Sequence, residues 1–178
     1  MTHQQESKVV VRRADRPGDF GWMVMANGET YAEQFGWDTE YEALVARIVA
    51  DFATSRDPAR EAGWVAEVDG QRAGCVILVA TTDPDVARLR ILLVTPEARG
   101  CGLGTRLVQE CLDFARAAGY RHVTLWTNDI LTSARRIYEA AGFTLIDEER
   151  HHSFGSDLVG QNWVLDLGSW GCPGPQSR

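Results

Sequence analysis

The chain is almost without lysine. Lys8 is the single one among 18 basic residues; the rest are arginine. A Walker-type phosphate loop needs a lysine after its last glycine, so nucleotide hydrolysis of that kind is excluded. Cysteine is sparse too. Cys75, Cys101, Cys111 and Cys172 form no C-x-x-C pair, and no Cys/His group has zinc-finger spacing. No metal site is expected from them. No disulfide is required, which suits a reducing cytoplasm. There is no run of 18 apolar residues to cross a membrane, and the polar opening "MTHQQESK" lacks the apolar core of a secretory signal. A net charge of −7 argues against a general nucleic-acid binder, which needs clustered Lys and Arg.

What the chain does have is enough apolar material, 44% of 178 residues, for one well-filled core. Residues 1–8 and the Gly/Pro-rich segment 168–178 read as disordered ends around a domain at 9–167. "VVVRRA" (9–14) reads as a strand. Residues 18–35 read as a helix broken at Asn27-Gly28. "TEYEALVARIVADF" (39–52) carries an apolar stripe at steps of three and four, with Thr39 as N-cap and Glu42 completing a capping box. Then the period changes to two. "WVAEV" (64–68), Asp69-Gly70 and "QRAGCVILVATT" (71–82) form a hairpin signal, followed by the strand "ARLRILLVTP" (87–96). A helix at 102–119 has Leu103, Leu107, Val108, Cys111, Leu112, Ala115 and Ala118 on one face. A strand at 122–128, a helix at 132–142 and strands at 143–149 and 162–167 complete the order β-α-α-β-β-β-α-β-α-β-β. The fold class is α+β: a mixed, mostly antiparallel sheet of six to seven strands, about four helices and one β-α-β crossover.

Between the strand 87–96 and the helix 102–119 lies "RGCGLGTR" (99–106). A glycine-rich turn that opens a helix presents free N–H groups and the positive end of the helix dipole to an anion. The dinucleotide fingerprint fails, because the position for its third glycine is Thr105 or Leu107, depending on the starting pair. The spacing is instead Arg-x-x-Gly-x-Gly, at Arg99, Gly102 and Gly104. Downstream, "ARRIYEAAGF" (134–143) places a tyrosine four residues before a Gly-Phe pair.

With these two motifs the chain resembles the GNAT superfamily of N-acetyltransferases, over roughly residues 9–167. Within it, "GETYAEQFGWDTEYEALVARIVADF" (28–52) and "HHSFGSDLVGQNW" (151–163) resemble the transferase half of bacterial proteins that fuse a MarR-type winged helix to this domain; no winged helix precedes Val9 here. The resemblance implies that acetyl-CoA is the co-substrate and an amine, most simply a small molecule, the acceptor. It implies that backbone groups of Leu92, Leu93 and Val94 pair with pantetheine, and that the loop Arg99, Gly100, Cys101, Gly102, Leu103, Gly104 and Thr105 holds the pyrophosphate. Many relatives carry Asn seven residues before the tyrosine. Here Leu131 stands there, and Asn128 is the candidate to reach pantetheine. Tyr138 matches the general acid, and Trp22, Tyr31, Phe35 and Trp37 would line the acceptor pocket.

The general base stays open among Glu33, Glu67, Asp129, His151 and His152, with Glu33 as first choice. Each residue has a plainer reading: core packing for Leu92, Leu93 and Tyr138, a cap for Asn128, a solvated surface for Glu33 and the histidines. Three activities stay open: a small-molecule transferase, a protein-lysine transferase, and a non-catalytic domain that senses acyl-CoA or binds a partner. The family allows a homodimer.

Overall fold

The computed structural model describes residues 7–168. The disordered ends expected at 1–8 and 168–178 fall outside these residues, apart from Ser7, Lys8 and Gly168. The elements are β1 (Val9–Arg13), α1 (Asp19–Phe35), α2 (Thr39–Ser55), β2 (Ala62–Val68), β3 (Gln71–Ala80), β4 (Val86–Val94), α3 (Leu103–Ala117), β5 (His122–Asn128), α4 (Thr132–Ala141), β6 (Thr144–Ser153) and β7 (Ser156–Asp166), in the anticipated order. The strands make a seven-stranded sheet, β1-β2-β3-β4-β5-β7-β6, in which every pairing is antiparallel except β4 with β5.

The central strands are near-continuous apolar runs because both their faces are covered. Trp64, Ala66, Val76 and Leu78 pack with the stripe of α3, whereas Val65, Cys75 and Ile77 pack with Met23, Val45, Val49 and Phe52 of α1 and α2. Each fully buried aliphatic side chain of this kind contributes about 1.5–3 kcal/mol. One ion cluster pins the start of α1. The buried carboxylate of Asp19 accepts hydrogen bonds from Arg12 (2.8 and 3.0 Å), from Arg72 (2.9 Å) and from the Arg16 N–H (2.9 Å). Burial opposes its charge, but these bonds outweigh that and hold the carboxyl well below the usual carboxylate range.

Three local expectations need correction. α1 is not broken at Asn27-Gly28. Asn27 is buried, its Nδ2 donates to the Met23 carbonyl at 2.8 Å and its Oδ1 accepts from the Tyr41 hydroxyl, so the amide is satisfied inside the helix. Gly28 is where α2 comes close: a Cβ there would lie 3.1 Å from Glu42. α2 is capped not by Thr39 but by Asp38, whose Oδ1 accepts from the Glu40 N–H at 2.9 Å. Finally, β6 and β7 are longer than their apolar segments suggested, and they meet in a tight turn at Phe154 and Gly155, both with positive φ. His151 and His152 therefore lie on β6, not in a loop.

Two irregularities on β4 shape the site. Between the pairs Cys75↔Leu93 and Ile77↔Arg90, β4 carries one extra residue, a bulge marked by Ile91 at φ 51°. On its other side β4 pairs with β5 at three positions, Val86↔His122, Ala87↔Val123 and Arg88↔Thr124. Beyond Arg88 the two strands part, and the edge of β4 from Leu89 to Val94 faces a cleft.

Candidate active site

The cleft has two joined parts. The first, about 320 Å³, runs from Leu92 and Val94 past Arg99, Gly100 and Gly102–Thr105 to Ser133 and Ile137 on α4. The second, about 90 Å³, lies in the splay itself between Leu89–Leu92 of β4, Trp126–Asn128 of β5 and the aromatic side of α1 and α2. Tyr31, Leu92 and Ala134 line both.

The first part is walled largely by backbone. α3 starts at Gly102, in the left-handed conformation at φ 75°, and its first helical bond runs from the Arg106 N–H to the Gly102 carbonyl at 3.0 Å. The N–H groups of residues 100–105 therefore have no backbone acceptor among the described residues. Gly104 packs closely on α4: a Cβ there would stand 2.5 Å from Ile137 Cδ1, so a side chain at this position has to displace the tip of Ile137. These donors, with the α3 dipole behind them, suit a diphosphate. Arg99 reaches across the cleft to Gln34 Oε1 at 3.1 Å. Cys101 is exposed, and its thiol donates to the Ala98 carbonyl instead of entering the cleft. Leu93 turns its side chain to the α1/α2 core, which leaves only its backbone for a ligand.

The second part is made of side chains. Tyr138 lines it from α4. Burial, reinforced by Tyr31 and Cys111, pushes its hydroxyl far above the ordinary tyrosine value, so it stays protonated at any working pH. Tyr31 is likewise pushed up, to about 12, by burial. Trp37 packs edge-to-face on Tyr41 (4.8 Å) and tilted against Tyr31 (5.3 Å) and Phe154 (5.0 Å). The β6–β7 turn is tied to the α1–α2 loop, because the Asp38 N–H donates to the Phe154 carbonyl and the Phe154 N–H to Glu40. Trp22 and Phe35 pack on the same core as Tyr31 and Trp37 but do not line this part of the cleft.

The other sequence-predicted residues divide. Asn128, 2% exposed, lines the second part, and its Oδ1 pairs with His151 Nε2 at 2.9 Å, while His151 Nδ1 meets Ser153 Oγ. Written with the proton on Nε2, His151 donates to Asn128 and holds the amide in place. Glu33 is not brought to Tyr138. It is exposed on α1 and lines neither part, since it lies two residues, about 200° of helix, from Tyr31, which does. Glu67 is committed to Arg12 at 2.7 Å. His152 is exposed and paired with Asp157, and Asp129 binds neighbouring segments through its backbone. Leu131, the position of the missing asparagine, lines the second part and caps α4 without a side-chain bond.

Sequence reasoning passed over Trp126, 45% exposed at the mouth of the cleft and stacked over Gly160, and Arg90 on its β4 wall. For Arg90 a signal exists: a charge inside the apolar run "RLRILLV". Among the described residues no His/Cys/Asp/Glu group could hold a metal ion, and no helix is long and apolar enough to cross a membrane.

The chain is similar to known proteins. The chain is 36% identical over 136 residues to N-acetyltransferase 8 of Rattus norvegicus, and 27% identical over 124 residues to an uncharacterized N-acetyltransferase of Schizosaccharomyces pombe. These matches take up 74% and 70% of this chain, and 58% and 76% of those proteins; a Xenopus tropicalis relative, probable N-acetyltransferase camello, is spanned for only 37% of its length. Among solved structures, a putative acetyltransferase of Salmonella typhimurium with acetyl-CoA superposes at a TM-score of 0.71 and 18% identity, over 93% of this chain and 97% of that one. An N-acetyltransferase of Staphylococcus aureus gives 0.75 at 18% identity, over 91% and 100%. The model of the acetyltransferase (GNAT) family matches residues 21–143, more than half of the sequence, and the chain belongs to that family.

Proposed function

We propose that the protein transfers the acetyl group of acetyl-CoA directly to a primary amine of a small molecule. The observation that carries this is the continuity of the cleft: free loop N–H groups at one end, an unpaired β4 edge between, and the buried Tyr138 at the other. The residues fit acetyl-CoA as a substrate. The N–H groups of residues 100–105 and Arg99 would hold its pyrophosphate, Arg99 exchanging Gln34 for phosphate oxygens. The β4 edge at Leu92–Val94 would pair with pantetheine as an added strand. Bound there, acetyl-CoA supplies an activated thioester.

The amine nitrogen attacks the thioester carbon. The N–C bond forms, the C–S bond breaks, and Tyr138 gives its proton to the leaving sulfur. The proton shed by the nitrogen restores Tyr138, so thiol and amide are the only products. No carboxylate among the base candidates lines the splay, so the amine reaches it already neutral, having lost its ammonium proton to water. The stretches that resemble the transferase half of MarR-type fusions, 28–52 and 151–163, supply Tyr31, Trp37, Tyr41 and the Phe154 turn. That likeness therefore concerns the acceptor side.

The test is thiol release from acetyl-CoA across a panel of primary amines, with mass spectrometry of the products. Amine-dependent release with one acetyl gained per thiol is expected. A protein that binds acetyl-CoA and releases no thiol with any amine is a sensor or partner-binding domain, not a transferase.

A further inference from the structure

Arg90 stands where the fold would take an apolar residue. It is registered opposite Ile77, so it projects to the face covered by α1 and α2, among Ile48, Asp51 and Phe52. It is half-buried, burial and Arg88 both work against its charge, and Asp51 acts on it only through space. Its other side lines the acceptor part of the cleft. Among the described residues that line this part, Arg90 is the one charged group; no carboxylate accompanies it. The remaining polar atoms include another donor in want of an acceptor, the indole N–H of Trp37, buried without a partner. Thr127 and Asn128 line it from β5, and the rest of the lining is apolar or aromatic, including Leu44, Ile48, Tyr41 and Trp126. A polyamine or a lysine-rich peptide would bring positive charge to a positive wall. Asp51 and Glu61 lie on the α2 side of Arg90, but among the described residues its guanidinium makes no hydrogen bond or ion pair, so it is free to grip a carboxylate with two parallel hydrogen bonds. Arg90 is two residues from Leu92, at most about 7 Å of strand, so the grip lies next to the reacting end of the acceptor.

We propose that the acceptor is an α-amino acid with an apolar or aromatic side chain, its carboxylate held by Arg90 and its side chain seated against Trp126, Tyr41 and Leu44. This rests on the acetyl-transfer reading above.

The test compares phenylalanine, leucine and methionine with the amines they give on losing the carboxylate, using thiol release by the full chain. Each amino acid is expected to exceed its amine by at least tenfold in kcat/KM. Arg90→Gln should bring each pair to within about threefold, and Arg90→Lys should keep part of the preference. Equal kcat/KM within the pairs for the wild-type protein overturns the assignment, and that comparison decides even if Arg90→Gln does not fold. A preference that survives Arg90→Gln removes Arg90 from it. Release from the decarboxylated amines alone overturns the substrate class but leaves acetyl transfer standing. No release from any amine overturns both.

Discussion

Between β4 and α3 the cleft is made of backbone: N–H groups of residues 100–105 and the free edge of Leu92–Val94, with glycines that keep side chains out of the way. Beyond the splay it is made of side chains contributed by α1, α2, β4, β5 and α4. The difference sets what each half can vary. A backbone site binds a group common to every member of a class and tolerates few substitutions, because a Cβ in the wrong place is enough to close it. A side-chain site can be rebuilt residue by residue, which is how one fold accepts many amines.

The largest effect should come from breaking the backbone half. Gly104→Val would drive its side chain into Ile137, the contact that α3 and α4 share. Gly102→Val meets no neighbour but must hold φ 75°, where a β-branched residue is strained. Both should abolish measurable acetyl-CoA binding in calorimetry, a loss of more than about a thousandfold, or about 4 kcal/mol. Unchanged affinity in both would break the assignment of the loop.

The same contrast explains what could be read from the residues alone. The glycine-rich turn at the start of α3 was legible because its motif, glycine at positions 102 and 104 after a strand, is local. The place of Tyr138 on a short helix was legible through a local motif of the same kind. The acceptor half was not. Arg90, Trp126 and the Phe154 turn become one wall only when β4 parts from β5 and the β6–β7 turn docks on α1 and α2. Glu33 shows the converse error, since its chemistry suited a base but its place on the helix turned it to solvent. β6 was underestimated because it is an edge strand exposed along nearly its whole length, so it has no apolar alternation to display. The continuity of α1 depended on Tyr41 satisfying Asn27 from another helix.

α1 supplies Tyr31 to both halves, so its anchor tests whether they stand on a common frame. Asp19→Ala leaves Arg12 and Arg72 without their shared carboxylate and should cost about 3 kcal/mol of stability in urea unfolding at neutral pH. The native carboxyl binds its proton only well below the unfolded value of about 4. Its stabilisation is therefore complete above that pH and is lost as pH falls toward the native value. The gap between wild type and Asp19→Ala should narrow below about pH 4. A gap that stays constant from pH 7 to pH 3 would show that the ion cluster is not its source.

Tyr138→Phe removes one oxygen from the side-chain half and leaves the loop alone. Turnover should fall by tenfold or more while acetyl-CoA affinity stays within about twofold. Because burial raises the hydroxyl so far, the wild-type rate should show no decline between about pH 8 and 10 from loss of this proton. Wild-type turnover in the phenylalanine variant would take Tyr138 out of the mechanism.

The smallest effect is expected at the pair behind the wall. His151 touches Asn128 and Trp126 but does not itself line the splay. As a positioning residue it should matter through the orientation of the Asn128 amide, so His151→Ala should lower kcat/KM by about threefold. His151→Gln, which keeps a donor, should recover most of that. The shape of the pH profile separates this from proton abstraction. If the amine arrives neutral, kcat/KM rises with the acceptor's own ionisation and moves when a less basic amine is used, in wild type and His151→Ala alike. A limb that does not move with the amine and disappears in His151→Ala would make the histidine the base.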